Sequence, residues 1–524
     1  MAKNRSRKDR LLPNYGWVQN TSRLSTVRDV VEMVPEDGIG HKALMRTIHE
    51  HRQKMDSLKG QWEWDARCRI KAICACGMAE LDRDMQGYQL TELGRALRAA
   101  PKSSEGGNVL SPEEQEIFQK GLLTNPPVIR TLQLLNESRK NGGGPMSKYD
   151  IGGRLGFVGD IGFTHYEVEY VIRNRQKFTN TEGSADKWAR TILSWLCQVG
   201  WAVQSGVEKY GEQTLPLYTT RYEVDRVLQY SARSTVKYVP QEMLCSGRHS
   251  FAQIVQQRRA AVLRILAQKP YMAISDLTSA VQAQGLEADE ETLAFDILNL
   301  RQAGIQISKE VSIYRLTDNI HLDTPPEQLP IKVRRRVADV EKQIKRYVMA
   351  YEDILPSKLV DNLIRYGSGG SKTAAYFEDT VRALFSIMGY EAKCLGQGHG
   401  RVTDVIVKYR DPLYSKSYAL MIDTKASNPY AFPAGDVRKM KEYIALHGKE
   451  LMQDMIPNHA FLFASMAFKP PEGPLEEIAA DTAVSGTAAD VFSLMDFAAK
   501  VLKQEISIKD MYPHFTTNRQ FVCP

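Results

Sequence analysis

Apolar residues recur at helical spacing through most of the first 320 or so positions, broken by short stretches that alternate apolar and polar. Helical patterns cover residues 26–33, 42–54 and 66–76. They are followed by GYQLTELGRAL (87–97), which reads as a short strand turning into a helix. The theme returns as LYTTRYEVDRVL (217–228) after a helical stretch at 186–199. It returns again as YRLTDN (314–319) after one at 290–303. Three such units in tandem predict three winged-helix-like modules. Residues 323–348 open Pro-rich and continue as a charged helix, the composition of a domain linker.

The pattern changes in the last third. An amphipathic helix (Phe377, Val381, Leu384, Phe385, Met388) leads into a strand, and DVIVKY (404–409) then alternates as a half-buried strand does. RDPLYSKS supplies turn residues, and YALMIDTK (418–425) is a second, more apolar strand. Pairing Tyr409 with Tyr418 sets Asp404 opposite Asp423 on one face, with Cβ atoms about 4.5–5.5 Å apart. Lys425, two residues on, shares that face. Two carboxylates and a lysine are thus expected at one edge of a sheet. Facing carboxylates resist joint ionisation unless a cation lies between them. Mg²⁺ suits one or two carboxylates plus a substrate phosphate, and a neighbouring lysine can hold the attacking water. This is the Asp…(Asp/Glu)-X-Lys arrangement of restriction-endonuclease-like nucleases; a charged surface hairpin is the plainer alternative for so short a motif. Glu378 is either a further carboxylate near the site or part of a solvated helix face, and His399 reads as a loop residue. A helix within 428–448 and a strand at 459–468 follow, and the remainder to Pro524 reads as helical. GSGGSKT (367–373) lacks the spacing of a phosphate loop and no buried strand precedes it, which excludes a nucleotide site there.

Composition narrows the compartment and the partners. Apolar residues at 43% and charged residues at 25% are the proportions of a soluble globular chain. No run of 18 apolar residues predicts a membrane helix, and the basic N-terminus lacks the apolar stretch of a secretory signal. Seven cysteines at irregular spacing point to reduced thiols in a cytoplasm; Cys68, Cys74 and Cys76 match no common zinc spacing and read as helix packing. A net charge of +7 permits nucleic-acid binding. The arm KNRSRKDR with Gln19 and Asn20 suits a segment that tracks a DNA backbone and reads base edges, although a solvated tail is the plain reading of its charge. Glu182, Lys187 and Arg190 surround the start of a helix whose apolar stripe includes Trp188, Ile192 and Trp195. That is where a recognition helix meets the major groove, or else an ordinary charged helix end.

Collinear stretches carry a more specific signal. GWVQN, NPPVIRTLQLL, SKYDIGGRLGF, EGSADKWAR and ALMIDTKA, in that order, resemble the FokI-like type IIS restriction endonucleases over nearly the whole chain. The resemblance implies a multidomain α+β protein with three tandem winged-helix-like DNA-binding subdomains and an α/β PD-(D/E)XK nuclease domain. The expected boundaries are 1–140, 141–245 and 246–322 for the three modules, the third mainly making protein contacts, then a linker at 323–350 and a cleavage domain at 351–524. It implies metal binding by Asp404 and Asp423 with Thr424 beside them, and catalysis by Asp404, Asp423 and Lys425. Contacts to a GG-containing, GGATG-like duplex site would come from Gln19, Asn20, Trp62, Trp64, Asn180, Glu182, Lys187 and Arg190. Thr403 stands where the family has a proline, and residues 35–65 correspond poorly. The family pairs two cleavage domains on DNA through an Asp and an Arg four residues apart; the matching positions here are Arg438 and Glu442, with the charge order reversed. The implied function is a Mg²⁺-dependent endonuclease of the bacterial cytoplasm that cuts both strands of double-stranded DNA outside its site. Its implied partners are a second copy of itself and a companion DNA methyltransferase, with no membrane. A strand-specific nicking enzyme, or a DNA-binding protein with an inactive nuclease-like domain, are the alternatives.

Overall fold

The structure is a computed structural model and describes all residues except 1–16, 55–61, 106–108, 161, 175–181, 211–212, 247–249, 270, 326–338, 396–401 and 413–414. The chain forms two compact units, Met1–His165 with Asn180–Arg335, and Tyr166–Thr179 with Arg336–Pro524.

One topology recurs in the first unit. α1 (Leu24–Glu32), β1 (Ile39–Gly40), α2 (His41–Lys54), α3 (Trp62–Ala75), β2 (Ala79–Asp82) and β3 (Gly87–Leu90) build a sheet of order β1-β3-β2. Thr91 ends β3 and caps α4 (Glu92–Ala99) by accepting from the Gly94 N–H, which is the strand-to-helix turn expected from Leu-Thr-x-x-Gly. Cys68, Cys74 and Cys76 are buried free thiols on or just after α3, as packing residues are. α5 (Pro112–Leu122) starts at a Ser111–Glu114 capping box, and α6 (Pro126–Lys140) starts with proline.

The second occurrence is less regular. α6 is followed by α7 (Lys148–Gly152), α8 (Val168–Asn174), α9 (Ser184–Gln198), β4 (Ala202–Tyr210) and β5 (Gln213–Thr220); Met146 bridges Tyr218 in place of a first strand. α8 belongs to the second unit, so the chain leaves this module between α7 and α9. α10 (Val224–Ser234) and β6 (Val236–Pro240) lead to the third occurrence. It comprises α11 (Ser250–Gln268), β7 (Met272–Ala273), α12 (Ile274–Ala283), α13 (Glu290–Gln302), β8 (Ile307–Glu310) and β9 (Ile313–Leu316), with sheet order β7-β9-β8. β10 (Asn319–Asp323) then pairs in parallel with β6.

The second unit opens with α14 (Asp339–Ala350). Its composition is that of a linker, yet Ile344 and Val348 are buried and Tyr347 stacks on Phe492 at 4.4 Å. α15 (Ser357–Gly367) and α16 (Ala374–Ile387) precede the strands β11 (Glu391–Cys394), β12 (Val405–Tyr409) and β13 (Tyr418–Lys425). α17 (Ala434–Gln453), β14 (Asn458–Ser465), α18 (Glu472–Thr482), β15 (Gly486–Asp490) and α19 (Val491–Leu502) complete the unit. The sheet order is β11-β12-β13-β14-β15; the first three strands are antiparallel and the last three parallel. Two sequence expectations need correction. The hairpin β12–β13 lies inside the sheet instead of at its edge, because β14 and β15 add in parallel beyond it. The C-terminal region is not helical throughout: GTAAD forms β15, whose small buried residues carry no β-branched or aromatic run by which to read it.

Candidate active site

The register of β12 and β13 places the chemistry. Tyr409 pairs with Tyr418 and Val405 with Ile422, so Asp404, one residue before β12, continues that register to Asp423. Met421 packs against Val437 and Met440 of α17. Asp423 and Lys425, at steps of two along β13, share this face. Burying a charge is costly unless it is paired. Here the fully buried Leu420, Met421 and Ile422 of β13 hold the carboxylates in place, each contributing about 1.5–3 kcal/mol.

Asp404 Oδ2 accepts hydrogen bonds from the Thr424 N–H (2.7 Å) and hydroxyl (3.0 Å). Lys425 Nζ lies 2.9 Å from Asp423 Oδ2 and 3.3 Å from Asp436 Oδ2. The contact with Asp423 is off the hydrogen-bonding direction, so Oδ2 is a buried oxygen without an aligned donor. Burial raises the Asp423 carboxyl, and Asp404 beside it raises it further, to about 8 against the pull of Lys425. Asp404 is also raised, by burial and then by the charge of Glu378. Two facing carboxyls, each raised toward its neutral form, are the kind of pair that a hard cation would stabilise, and an oxygen donor set of two carboxylates fits Mg²⁺. Thr424 is engaged through its N–H and hydroxyl with Asp404.

This titration has a measurable consequence. A carboxyl raised by folding favours the folded state at low pH, and that contribution is lost as pH rises from 3.8 through about 8. In melts of the metal-free protein, the wild type should lose stability relative to Asp423→Asn between about pH 5 and about pH 8.5. A difference constant over that range would contradict the assignment of the proton.

Glu378 is 4% exposed on α16, which rules out a solvated helix face. Thr403 is fully buried and donates to the Ile422 carbonyl at 2.7 Å, so its side chain is spent on β13. Asp436 escaped the sequence reading. It stands eleven positions beyond Lys425 across a Pro-containing turn, and the only local signal is an acid in the first turn of a helix. A second acidic group, Glu169 and Asp379 with Cys394, brings its ligand atoms within 4.8 Å of one another. Arg382 pairs with Glu169 at 3.3 Å and Arg173 with Asp379, so those acids already have cations. His399 lies outside the described residues.

The candidate DNA readers gather in the first unit. Residues 17–24 run along α9: Trp17 packs on Trp188 at 5.2 Å, the Trp195 Nε1–H donates to the Thr21 carbonyl, and the Leu24 N–H donates to Gln198 Oε1. Gln19 is half-buried, and exposed Asn20 adopts φ 64° and donates to Asp65 of α3 at 3.4 Å. Trp62 stacks on His49 at 4.3 Å, and Trp64 is 45% exposed. Glu182, Lys187 and Arg190 meet at the start of α9. Glu182 accepts from Arg190 at 3.0 Å and pairs with Lys148, and burial lowers the Lys187 ammonium. Asn180 and the basic arm through residue 16 lie outside the described residues. Arg438 and Glu442 form a long i,i+4 contact of 3.9 Å on α17, with the Arg438 side chain 70% exposed.

Residues 334–522 match the family model described as FokI, cleavage domain, and residues 252–312 match FokI, D3 domain. The chain is 25% identical over 407 residues to the type II restriction enzyme FokI of Planomicrobium okeanokoites. That alignment spans 73% of this chain and 66% of the relative, just under two thirds of its length. Two solved structures of restriction endonuclease FokI share the fold. The DNA-bound one has a TM-score of 0.63 at 21% identity and the other 0.60 at 22%, each covering 98% of this chain and 100% of the solved chain. The second unit is thus of the FokI cleavage-domain type. Through the D3 match and the longer alignment, the chain as a whole resembles FokI. Among the described residues, no helix is long and apolar enough to cross a membrane.

Proposed function

We propose that this protein is a Mg²⁺-dependent, site-specific deoxyribonuclease that binds a short asymmetric duplex sequence and cuts both strands at a fixed distance to one side. The observation that carries the reading is the facing pair Asp404 and Asp423, the second of them buried, with Lys425 Nζ 2.9 Å from Asp423, in a unit of the FokI cleavage-domain type. Three winged-helix-like modules (1–140, 141–245 with α8 set apart, and 246–322) supply recognition; residues 323–350 have a linker's composition, but α14 within them packs in the second unit, where residues 351–524 cut. The recurring helix–strand–helix–helix–hairpin order and the sheet orders β1-β3-β2 and β7-β9-β8 support this division. The partners are double-stranded DNA, a second copy of the chain and a DNA methyltransferase that protects the host, in a bacterial cytoplasm.

Asp404 and Asp423 would hold the metal, with Thr424 in the same set. When bound, Mg²⁺ stabilises charge developing on the scissile phosphate. Lys425 holds the attacking water and opposes negative charge as the water adds in line with the departing oxygen. Thr424 orients Asp404 through its two hydrogen bonds, and Glu378 adds negative potential from α16. At the start of α9, Lys187 reads a guanine edge in this account. Lys187→Ala should then cost about 1–3 kcal/mol at one base pair, measured by competition binding across single-base site variants. Equal weakening of every variant with a flatter salt dependence would make it a phosphate contact instead.

Supercoiled plasmid incubated with protein and Mg²⁺ separates the readings. Linear product supports the proposal. Nicked circles that never linearise would favour a nicking enzyme, and untouched plasmid a binding protein with an inert nuclease fold.

A further inference from the structure

We propose that Asp436 is a positioning residue that anchors the Lys425 ammonium alongside Asp423, keeping it at the reacting centre when metal takes up the charge of Asp423. The proposal rests on the nuclease reading above and deepens it by one residue. Lys425 is a flexible four-carbon side chain, and a single carboxylate partner that also binds a cation would attract it much less in the loaded site. Asp436 supplies a second anchor that is outside the metal set, with Oδ2 3.3 Å from Nζ.

The anchor is itself held. The Tyr430 hydroxyl donates to Asp436 Oδ2 at 2.8 Å, and Lys439 Nζ binds Oδ1 at 3.0 Å. Tyr430 is 6% exposed, packs edge-on against Phe432 at 4.9 Å, and is tied by its backbone to Ala467 and Lys469 at 2.8 Å each. The Asp436 N–H donates to the Pro433 carbonyl at 2.8 Å, which fixes the first turn of α17. The Ser465 hydroxyl lies 2.8 Å from the carbonyl oxygens of both Lys425 and Ser427 and donates its one O–H between them, so the strand end that carries the lysine is equally fixed. Both ends of the Lys425–Asp436 contact therefore stand on rigid backbone, the arrangement that a precisely placed ammonium requires. Asp423 and Asp436 both lie within ion-pair distance of the ammonium, which has three N–H donors to share among them and a water or phosphate oxygen.

The test uses the full-length protein in single-turnover cleavage of a linear duplex, with DNA affinity and melting temperature measured alongside. Asp436→Asn should cut about 10–100-fold more slowly with unchanged affinity and melting temperature. Asp436→Glu should recover most of the rate, and Tyr430→Phe should lose less than Asp436→Asn. Wild-type or faster cleavage by Asp436→Asn would overturn the proposal, the faster outcome showing that Asp436 restrains the lysine. A slow Asp436→Asn with lowered melting temperature and no rescue by glutamate would also overturn it, as a purely structural role. An inactive wild type would be a failure of the nuclease reading itself, seen in a separate arm.

Discussion

Replacing Asp404, Asp423 or Lys425 with alanine is expected to abolish cleavage, by about a thousandfold or more, while specific DNA affinity stays near the wild type. The separation follows from the two units. The three side chains lie in the second unit on the register of β12 and β13, and the candidate base readers lie in the first unit along α3 and α9. Asp423→Ala removes the carboxyl that burial and Asp404 raise to about 8. Above about pH 8 the metal-free variant should therefore be at least as stable as the metal-free wild type, although it does not cut. Lys425→Ala differs in kind: Asp423 and Asp436 lose their common cation, and metal affinity should persist although cleavage does not. Gel-shift and cleavage assays on the same preparations check both parts. Cleavage at full rate by any one of the three would remove it from the site.

Arg438→Glu and Glu442→Arg, each alone, should strongly impair double-strand cleavage, and the double swap should restore it. One cleavage unit has one Asp/Asp/Lys cluster, so cutting two strands most simply needs two copies. In a two-fold contact residue i meets j and j meets i, so the reversed charge order still allows Arg438 of one copy to face Glu442 of the other. Within one helix the pair is long, at 3.9 Å, and Arg438 is mostly exposed. As an intrahelical pair alone it would contribute only about 0.2–0.5 kcal/mol, too little for either substitution to affect cleavage. The expected signature is a rate that rises faster than linearly with enzyme concentration for the wild type and the double swap. Rates independent of concentration, with both single variants cutting normally, would eliminate the two-copy model.

The most legible parts of the chain were those where local pattern and long-range order coincide. Alternation in DVIVKY, an apolar YALMIDTK and turn residues between them determine a hairpin register almost alone, and β13 spans Tyr418–Lys425 as read. Leu-Thr-x-x-Gly marked the β3–α4 turn because threonine is a helix cap. Other features depend on contacts that pattern does not encode. β15 is made of small residues whose burial comes from its neighbours. α14 hides two buried aliphatic residues in a charged helix, so its composition reads as linker. α8 sits in sequence between α7 and α9 of the first unit yet packs with α16 in the second unit, where Tyr170 meets Tyr376 at 4.4 Å. Asp436 and the burial of Glu378 likewise required the folded chain, since each approaches the site from a helix rather than from the hairpin.

Mapping the ends of cleaved plasmid on both strands shows whether a double-strand cut is displaced from a recognised sequence. Every end is expected at one fixed offset, on one side of one short asymmetric sequence, with a partner break in the opposite strand. Ends scattered without a common neighbouring sequence, or breaks confined to one strand, would contradict it.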